Sequence, residues 1–288
     1  MSGVWLLSLE ALDEKDVPVM LRFSTGQYHG DGQAWMPRIQ QAGLYRAGLF
    51  AGDLLRVSRS GYGETTLINA RIASNNDDVM LVTDSGRAIR FPATDVRVFN
   101  SRASVGVRGI KLQGNDTVVS MSIIRHFDAT SDERSAYLKM RRAVAGLADD
   151  AELPDDEDGN AMATISQERY AEMSAAENLI LTITSGGAGK LSSSHDYPVR
   201  GRGGMGVAAM DKAMRGGSLV ASFPVDLEDQ IMLATSKGQS IRVPVEGISF
   251  RSRSAGGVKV FNTGKAEEVV SVARIADQGD EDDGETEE

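Results

Sequence analysis

Three stretches of the chain share one alternation of apolar and polar positions. They cover residues 78–92, 178–192 and 230–244. Each has an apolar run, a polar turn ending in glycine, and a second run that carries one base. Aligned without a gap, Gly86, Gly186 and Gly238 are the turn residues, although Gly187 suits the middle turn nearly as well. The pattern predicts one β-hairpin per stretch.

The similarity continues beyond the hairpins. An Arg-x-x-x-Gly-Val motif begins at Arg102, Arg202 and Arg253, at spacings of 16, 16 and 15 residues from the turn glycine. A final apolar strand then closes each unit, at 118–121, 219–222 and 269–272. Repeats of about 50 residues with four strands are typical of propeller blades, so we predict an all-β, propeller-like repeat array. Met80, Ile180 and Met232 are predicted core residues.

The N-terminal part does not follow this repeat. Residues 4–9 and 17–23 are predicted strands, and residues 67–73 have the character of a closing strand whose own hairpin is missing. The segment around Trp35 and Ser58 loosely resembles phage tail-associated proteins. We therefore treat residues 1–67 as a separate segment of unclear origin, which a gene fusion or a fragment would produce.

One long interruption separates the first two repeats. Residues 131–147 and 166–176 are predicted helices, and residues 149–160 are too acidic and apolar-poor to form a core, so disorder is expected. We expect the insertion to be an excursion outside the blades. The predicted domains are residues 1–67, residues 68–276 (repeats 74–124, 178–225 and 229–276; insertion 125–177) and an acidic disordered tail, 277–288.

The charge of the chain is unevenly distributed. The net charge is −10, yet 15 acids lie in two base-free segments, 145–160 and 277–288. Without them, 26 acids face 31 bases, so the folded remainder is basic. The chain has no cysteine, no run of 18 apolar residues and no secretion signal, which predicts a cytoplasmic protein with no membrane span.

The residues of the strands and basic loops resemble those of a known family. Residues 86–91, 106–112 and 197–207 closely resemble the C-terminal domain of DNA gyrase A. The resemblance covers about residues 67–276. In that family six units form a β-pinwheel, a propeller-like disc whose basic rim wraps DNA, and the three repeats here are similar to the last three. The family's Gln-Arg-Arg-Gly-Gly-Lys-Gly box has only a degenerate counterpart, at Arg200–Gly206, which differs at three positions.

The resemblance implies a DNA-binding and DNA-wrapping module of an ATP-dependent type IIA DNA topoisomerase, which acts in DNA supercoiling. Its partners would be double-stranded DNA, gyrase B and the rest of gyrase A. A protein that bends duplex DNA needs Lys and Arg side chains distributed along a curved track. No residue pattern here demands contacts to the edges of the nucleobases. The predicted DNA-binding residues are Arg90, Arg102, Arg108, Lys111, Lys190, Arg200, Arg202, Arg242, Arg251, Arg253 and Lys259. Five of them are expected to be exposed on one continuous edge: Arg102, Arg200, Arg202, Arg251 and Arg253.

Catalytic patterns are poor. The three histidines share no ligand spacing, and the residues of Ser194-His195-Asp196 are neighbours that cannot take triad geometry. Tyr170 follows an arginine, as in the topoisomerase nucleophile pair, but the breakage-reunion domain is absent. We therefore predict no catalytic residue, metal or cofactor, and whether the chain belongs to an enzyme depends on the resemblance.

Three alternatives remain open at this point. The same repeats would fit the C-terminal DNA-binding module of topoisomerase IV. A propeller of this size would also fit a protein that makes only protein contacts, or a phage structural fusion. Salt-dependent duplex binding distinguishes the DNA-binding functions from the other two, because phosphate contacts release counterions.

Overall fold

The fold is taken from a computed structural model of the 288-residue chain. The residues that it describes are 3–10, 18–25, 65–97, 106–144, 164–211, 216–264 and 266–276. The predictions for Arg102, for the acidic stretch 149–160 and for the tail 277–288 lie outside these residues.

Within these residues, fifteen strands form four antiparallel sheets, as an all-β repeat array requires. Sheet 1 contains β1 (Gly3–Glu10), β2 (Pro18–Thr25), β3 (Thr65–Ile72) and β6 (Val107–Lys111) in the order β3-β2-β1-β6. Sheet 2 contains β4 (Asp77–Thr83), β5 (Arg87–Pro92), β7 (Val118–Arg125) and β10 (Val207–Ala208) in the order β10-β5-β4-β7. Sheet 3 contains β8 (Leu179–Thr184), β9 (Ala188–Ser193), β11 (Leu219–Val225) and β14 (Val258–Lys259) in the order β11-β8-β9-β14. Sheet 4 contains β12 (Gln230–Thr235), β13 (Ser240–Pro244) and β15 (Val269–Ile275) in the order β13-β12-β15.

In each of sheets 1 to 3, the outermost strand belongs to the following repeat. β10 of the second repeat pairs with β5, and β14 of the third repeat pairs with β9. The predicted four strands per unit are therefore present, but one of them crosses to the preceding sheet. Sheet 4 has three strands, because no strand of the described residues pairs with the outer edge of β13.

The N-terminal strands belong to the array. β1 and β2 form a hairpin, β2 pairs with β3, and β1 pairs with β6 of the first repeat. The prediction that the strand 67–73 lacks a hairpin is therefore wrong: strands β1 and β2 supply the pair. The order of this hairpin is reversed relative to the others. In sheet 1 the closing strand pairs with the second strand of the hairpin, whereas in sheets 2 to 4 it pairs with the first strand.

A threonine fixes the register of each repeated hairpin. The hydroxyls of Thr83, Thr184 and Thr235 each accept a hydrogen bond from the N–H four residues later. The glycine three residues after each threonine has a positive φ, which is +78° at Gly187. The gap-free alignment through Gly186 is therefore wrong by one residue, so that the counterpart of Arg90 and Arg242 is Leu191, and Lys190 takes the place of Ile89 and Ile241.

The core is a series of apolar layers between neighbouring sheets. Met80 and Ile180 meet in the layer between sheets 2 and 3, and Leu181 and Ile231 meet in the layer between sheets 3 and 4. Burial of such side chains stabilises each junction by roughly 1.5–3 kcal/mol per residue. Met232 is 37% exposed, because no further sheet of the described chain covers sheet 4, so its assignment to the core is wrong.

Both predicted helices of the insertion are present and pack together. Helix α1 (Ser131–Val144) begins at a reciprocal capping box in which Thr130 and Glu133 each accept the other's backbone N–H. Helix α2 (Gln167–Ala175) is capped by Ser166. No helix of the described residues is long and apolar enough to cross a membrane.

The helical pair packs against sheet 3 rather than standing clear of the blades. Tyr137 of α1 is buried and meets the ring of His195 edge-on at 5.0 Å. His195 lies in the 3-10 helix Ser194–Asp196 that follows β9, and its Nε2 donates to the carbonyl oxygen of Met173 in α2. The insertion has its own apolar cluster, which includes Leu138 and Met173, and it contacts sheet 3 through the segment that follows β9.

Candidate nucleic-acid interface

Two exposed arginines occupy the same place in successive outer loops. Each follows a residue that makes a parallel bridge to the preceding sheet: Val199 to Arg90, and Phe250 to Leu191. The backbone N–H of Arg200 donates to the Arg90 carbonyl oxygen at 2.8 Å, and that of Arg251 donates to the Leu191 carbonyl oxygen at 2.7 Å. These bonds pin the backbone, while both side chains remain exposed. Each of these two loops thus presents one arginine side chain from a backbone position that the hydrogen bond fixes.

Other bases lie on or beside the outermost strands. Lys111 at the end of β6 and Lys259 at the end of β14 are exposed, and Arg108 of β6 is half-buried. Arg242 on β13 is also exposed. Arg87, at the start of β5, is exposed as well, and the repeat pattern did not indicate it because the equivalent positions of the other two hairpins carry no base. These basic residues are the candidates for phosphate contacts that the structure leaves exposed or half-buried at these strands.

Arg202 joins two repeats while remaining exposed. Its Nε donates to the carbonyl oxygen of Asp95 at 2.9 Å, and its Nη1 approaches the carbonyl oxygen of Arg108 at 3.3 Å. Asp95 belongs to the 3-10 helix Ala93–Asp95 of the preceding repeat. The loop arginine of the motif is therefore also a structural contact between repeats.

Arg253, the counterpart of Arg202, is buried. Its Nε donates to the carbonyl oxygen of Asp196 at 2.9 Å, its backbone N–H donates to Oδ2 of the same residue at 2.6 Å, and its Nη1 contacts the Ala208 carbonyl oxygen. Burial raises the pKa of Asp196, which the charge of Arg253 opposes. The expected exposure of Arg253 is wrong, because the guanidinium of this third-repeat loop is bonded to Asp196 and Ala208 of the second repeat.

Arg90 is buried in a polar network between sheets 2 and 3. Its Nε donates to Asp78 Oδ2 at 2.7 Å, and its Nη1 donates to the carbonyl oxygen of Ser194 at 2.7 Å. The other carboxylate oxygen of Asp78 lies 2.7 Å from His126 Nδ1. Burial lowers the pKa of His126, but hydrogen bonds and charges from Asp78 and Asp128 outweigh it, so the net shift is upward. Arg90 therefore holds the fold together and is not on the rim.

Lys190 is buried against the next repeat. Its ammonium donates to the carbonyl oxygens of Ser252, at 2.9 Å, Ala255, at 2.6 Å, and Arg253. Three acceptors match the three donors of an ammonium group. Burial lowers the pKa of Lys190 to about 7. Like Arg90, this residue was predicted to contact DNA and is instead an internal contact between sheets.

His195 and Tyr170, which the sequence raised as catalytic candidates, make structural contacts. The ring of His195 is bonded to the Met173 carbonyl, and burial lowers the pKa of this histidine. Tyr170 packs against Tyr137, with ring centroids 5.1 Å apart. Within the part of the chain that the structure describes, no three His, Asp or Glu side chains are grouped to hold a metal ion.

Comparison with known proteins gives a consistent result. The family described as DNA gyrase C-terminal domain, beta-propeller, matches residues 77–125, 178–226 and 229–276. These segments start at equivalent positions in the three hairpins, in agreement with the register that the threonines fix.

Relatives of known sequence are gyrase A proteins. The chain is 42% identical to DNA gyrase A of Granulibacter bethesdensis over 229 residues, which cover 75% of this chain and 24% of that protein. It is 37% identical to DNA gyrase A of Rickettsia bellii over 222 residues, which cover 77% and 24%. The chain thus spans about a quarter of the length of these relatives.

A solved structure shares the fold. The crystal structure of the C-terminal domain of DNA topoisomerase IV matches with a TM-score of 0.52 and 18% identity, over 77% of this chain and 57% of that chain. At this identity the likeness concerns the fold alone.

Proposed function

The chain belongs to the family of DNA gyrase C-terminal domains, and we propose that it binds duplex DNA along its outer rim. The observation that carries the proposal is the equivalent placement of Arg200 and Arg251, exposed and pinned by the same backbone hydrogen bond. Bases repeated at a fixed spacing along stacked sheets suit a phosphate backbone that bends around them.

The contacting residues in this proposal are the exposed and half-buried bases of the rim. Arg90, Lys190 and Arg253 are left out, because their side chains are buried in contacts between repeats. The set comprises Arg87, Arg108, Lys111, Arg200, Arg202, Arg242, Arg251 and Lys259, together with Arg102 from the sequence pattern. Contacts to the phosphate backbone of DNA carry no information about its sequence, so binding is expected to tolerate any duplex sequence.

Within a complete gyrase, this domain would act with the rest of gyrase A and with gyrase B, and would guide duplex DNA during supercoiling. The chain itself would supply DNA binding and curvature, while strand breakage and ATP hydrolysis would belong to the other parts. This assignment follows the gyrase relatives, which are more similar in sequence than the topoisomerase IV structure is.

A salt titration tests the proposal. The full chain and the variant Arg200→Ala/Arg251→Ala would be titrated by fluorescence anisotropy against two duplexes of unrelated sequence at several salt concentrations. Each lost phosphate contact lowers the salt slope by about 0.9, so the double variant is expected to lose up to about 1.8 on both duplexes. Its unfolding free energy should change by less than about 0.5 kcal/mol per site.

Lys139→Ala provides the matched control, since Lys139 is an exposed base on helix α1 and not on a rim loop. It should leave the slope unchanged. If the full chain shows no salt-dependent binding, the proposed function is wrong. An unchanged slope in the double variant would show that these loops do not contact DNA.

A further inference from the structure

The helical insertion reaches across to one of the two rim loops. Arg141, on the last turns of α1, forms an ion pair with Glu177 in which Nε lies 3.2 Å from Oε2. The same guanidinium lies over the ring of Phe250, 4.9 Å from the centroid. Phe250 belongs to the outer loop of the third repeat, so one side chain connects the insertion, the start of sheet 3 and this loop.

Phe250 immediately precedes Arg251 and bridges to Leu191. The bridge holds its backbone, while its ring packs against the apolar layer between sheets 3 and 4 and has the Arg141 guanidinium over its face. The equivalent residue of the preceding loop is Val199, whose side chain has no aromatic face and is 38% exposed. The two loops thus present equivalent arginines on unequal supports.

The support has energetic weight. A cation over an aromatic face is attracted by the quadrupole of the ring, and the attraction is stronger when the pair is partly desolvated. Arg141 is half-buried and Glu177, with 8% of its side chain exposed, fixes the direction of the guanidinium. Glu177 lies just before β8 and so is itself anchored to sheet 3. Losing Arg141 would remove the cation from the face of the Phe250 ring, and with it the tie to the insertion, without removing any group from the rim.

We propose that Arg141 is a positioning residue for Arg251: the insertion braces the loop of the third repeat, so that this arginine is held ready for a phosphate contact, whereas Arg200 is held through the bridge of Val199 to Arg90. The inference rests on the proposed DNA binding and assigns the insertion a part in it. The brace itself is a property of the fold that can be measured without DNA.

A double-mutant cycle in the full chain tests the coupling. Arg141→Ala, Arg251→Ala and Arg200→Ala would be prepared singly, together with the two pairs that contain Arg141→Ala. Arg141→Ala is expected to lower affinity and to reduce the salt slope by up to about 0.9, as Arg251→Ala does. The pair with Arg251→Ala should be no weaker than Arg251→Ala alone, whereas the effects in the pair with Arg200→Ala should add.

Hydrogen exchange supplies the second readout. In Arg141→Ala, the Arg251 amide that donates to Leu191 should exchange several-fold faster, while the Arg200 amide that donates to Arg90 should keep its rate. Phe250→Leu, which keeps apolar volume but removes the ring face, should reproduce both results. Arg141→Lys should restore part of the protection, and Lys139→Ala should show none of these effects.

The outcomes separate the two proposals. If Arg141→Ala and Arg251→Ala weaken binding additively, Arg141 contacts DNA by itself and the positioning role is wrong. Unchanged exchange at Arg251 in both Arg141→Ala and Phe250→Leu would also overturn it. If exchange responds as expected but the full chain does not bind duplex DNA, the brace exists and the proposed function is wrong.

Discussion

Sheets 2 and 4 are built from the same repeat, yet their outer sides differ. In sheet 2, β10 covers β5 and Arg90 is 4% exposed. In sheet 4, no strand of the described chain pairs with the outer edge of β13, and Arg242, the counterpart of Arg90, is exposed. Met80 and Met232 differ in the same way, at 1% and 37% exposure.

The difference shows what a base in this repeat does. At the strand position of Arg90, the following repeat supplies the carbonyl oxygen of Ser194 and makes the arginine a contact between repeats. Where none follows, an equivalent residue stays in solvent and adds to the surface charge. The same strand position can therefore be structural in one sheet and exposed on the rim in another, and substitutions at paired positions measure this difference.

The largest contrast is expected between Arg90→Ala and Arg242→Ala. Removing Arg90 leaves Asp78 buried without its guanidinium partner and leaves the Ser194 carbonyl without its donor. Breaking a buried pair in this way costs about 3–5 kcal/mol, whereas an exposed substitution costs within about 0.5 kcal/mol. Chemical denaturation of both variants measures the difference. Equal losses would mean that Arg242 is covered in solution.

A second contrast concerns the apolar layers. Met80→Ala leaves a cavity between sheets 2 and 3 and is expected to cost about 2–5 kcal/mol. Met232→Ala removes a partly exposed side chain and should cost clearly less, about 1 kcal/mol. Unfolding midpoints at constant m-value report both. A cost for Met232→Ala that matches Met80→Ala would show that sheet 4 packs against another surface.

A third contrast lies in the hairpin turns. Gly187 and Gly238 both have positive φ, but a Cβ at Gly187 would lie 2.3 Å from the Phe261 carbonyl oxygen, while a Cβ at Gly238 would meet nothing within 4 Å. Gly238→Ala should therefore cost only the strain of the left-handed conformation, about 1–2 kcal/mol. Gly187→Ala must also displace backbone, so its thermal midpoint should fall further. Equal midpoints would contradict the close packing of the third repeat on this turn.

The smallest effect depends on pH. Because the pKa of Lys190 is lowered to about 7, the unfolded chain binds more protons than the folded chain between this value and the ordinary lysine pKa. The free energy of unfolding should then rise with pH in that window, by about 1 kcal/mol between pH 7 and 8. Lys190→Met lacks this titration, so the wild type should gain stability relative to the variant as pH rises. A constant difference would mean that the three carbonyls keep the ammonium charged.

Much of the fold could be predicted from the sequence because it depends on local chemistry. The hairpins, the closing strands, both insertion helices and the two N-terminal strands, although not their pairing, follow from period-2 patterns, turn glycines and helix caps, all within a few residues of chain. The threonine that precedes each turn glycine by three residues, at Thr83, Thr184 and Thr235, was also present in the sequence. An alignment of the three hairpins on this threonine places the middle turn at Gly187 and gives Leu191 as the counterpart of Arg90.

Of the candidate interface, the sequence determined that a basic residue recurs on a strand and another in a loop of successive units. Only the tertiary structure decided which of them reach solvent. Arg90, Lys190 and Arg253 are buried because the outer strand and loop of the following repeat cross onto the preceding sheet, and such a contact joins residues 45 to 104 positions apart. Arg202 and Arg253 share one motif, yet only Arg253 is enclosed. Local pattern determines where a charge stands on its strand or loop, but whether water or a carbonyl oxygen surrounds that charge is a property of the neighbouring sheet.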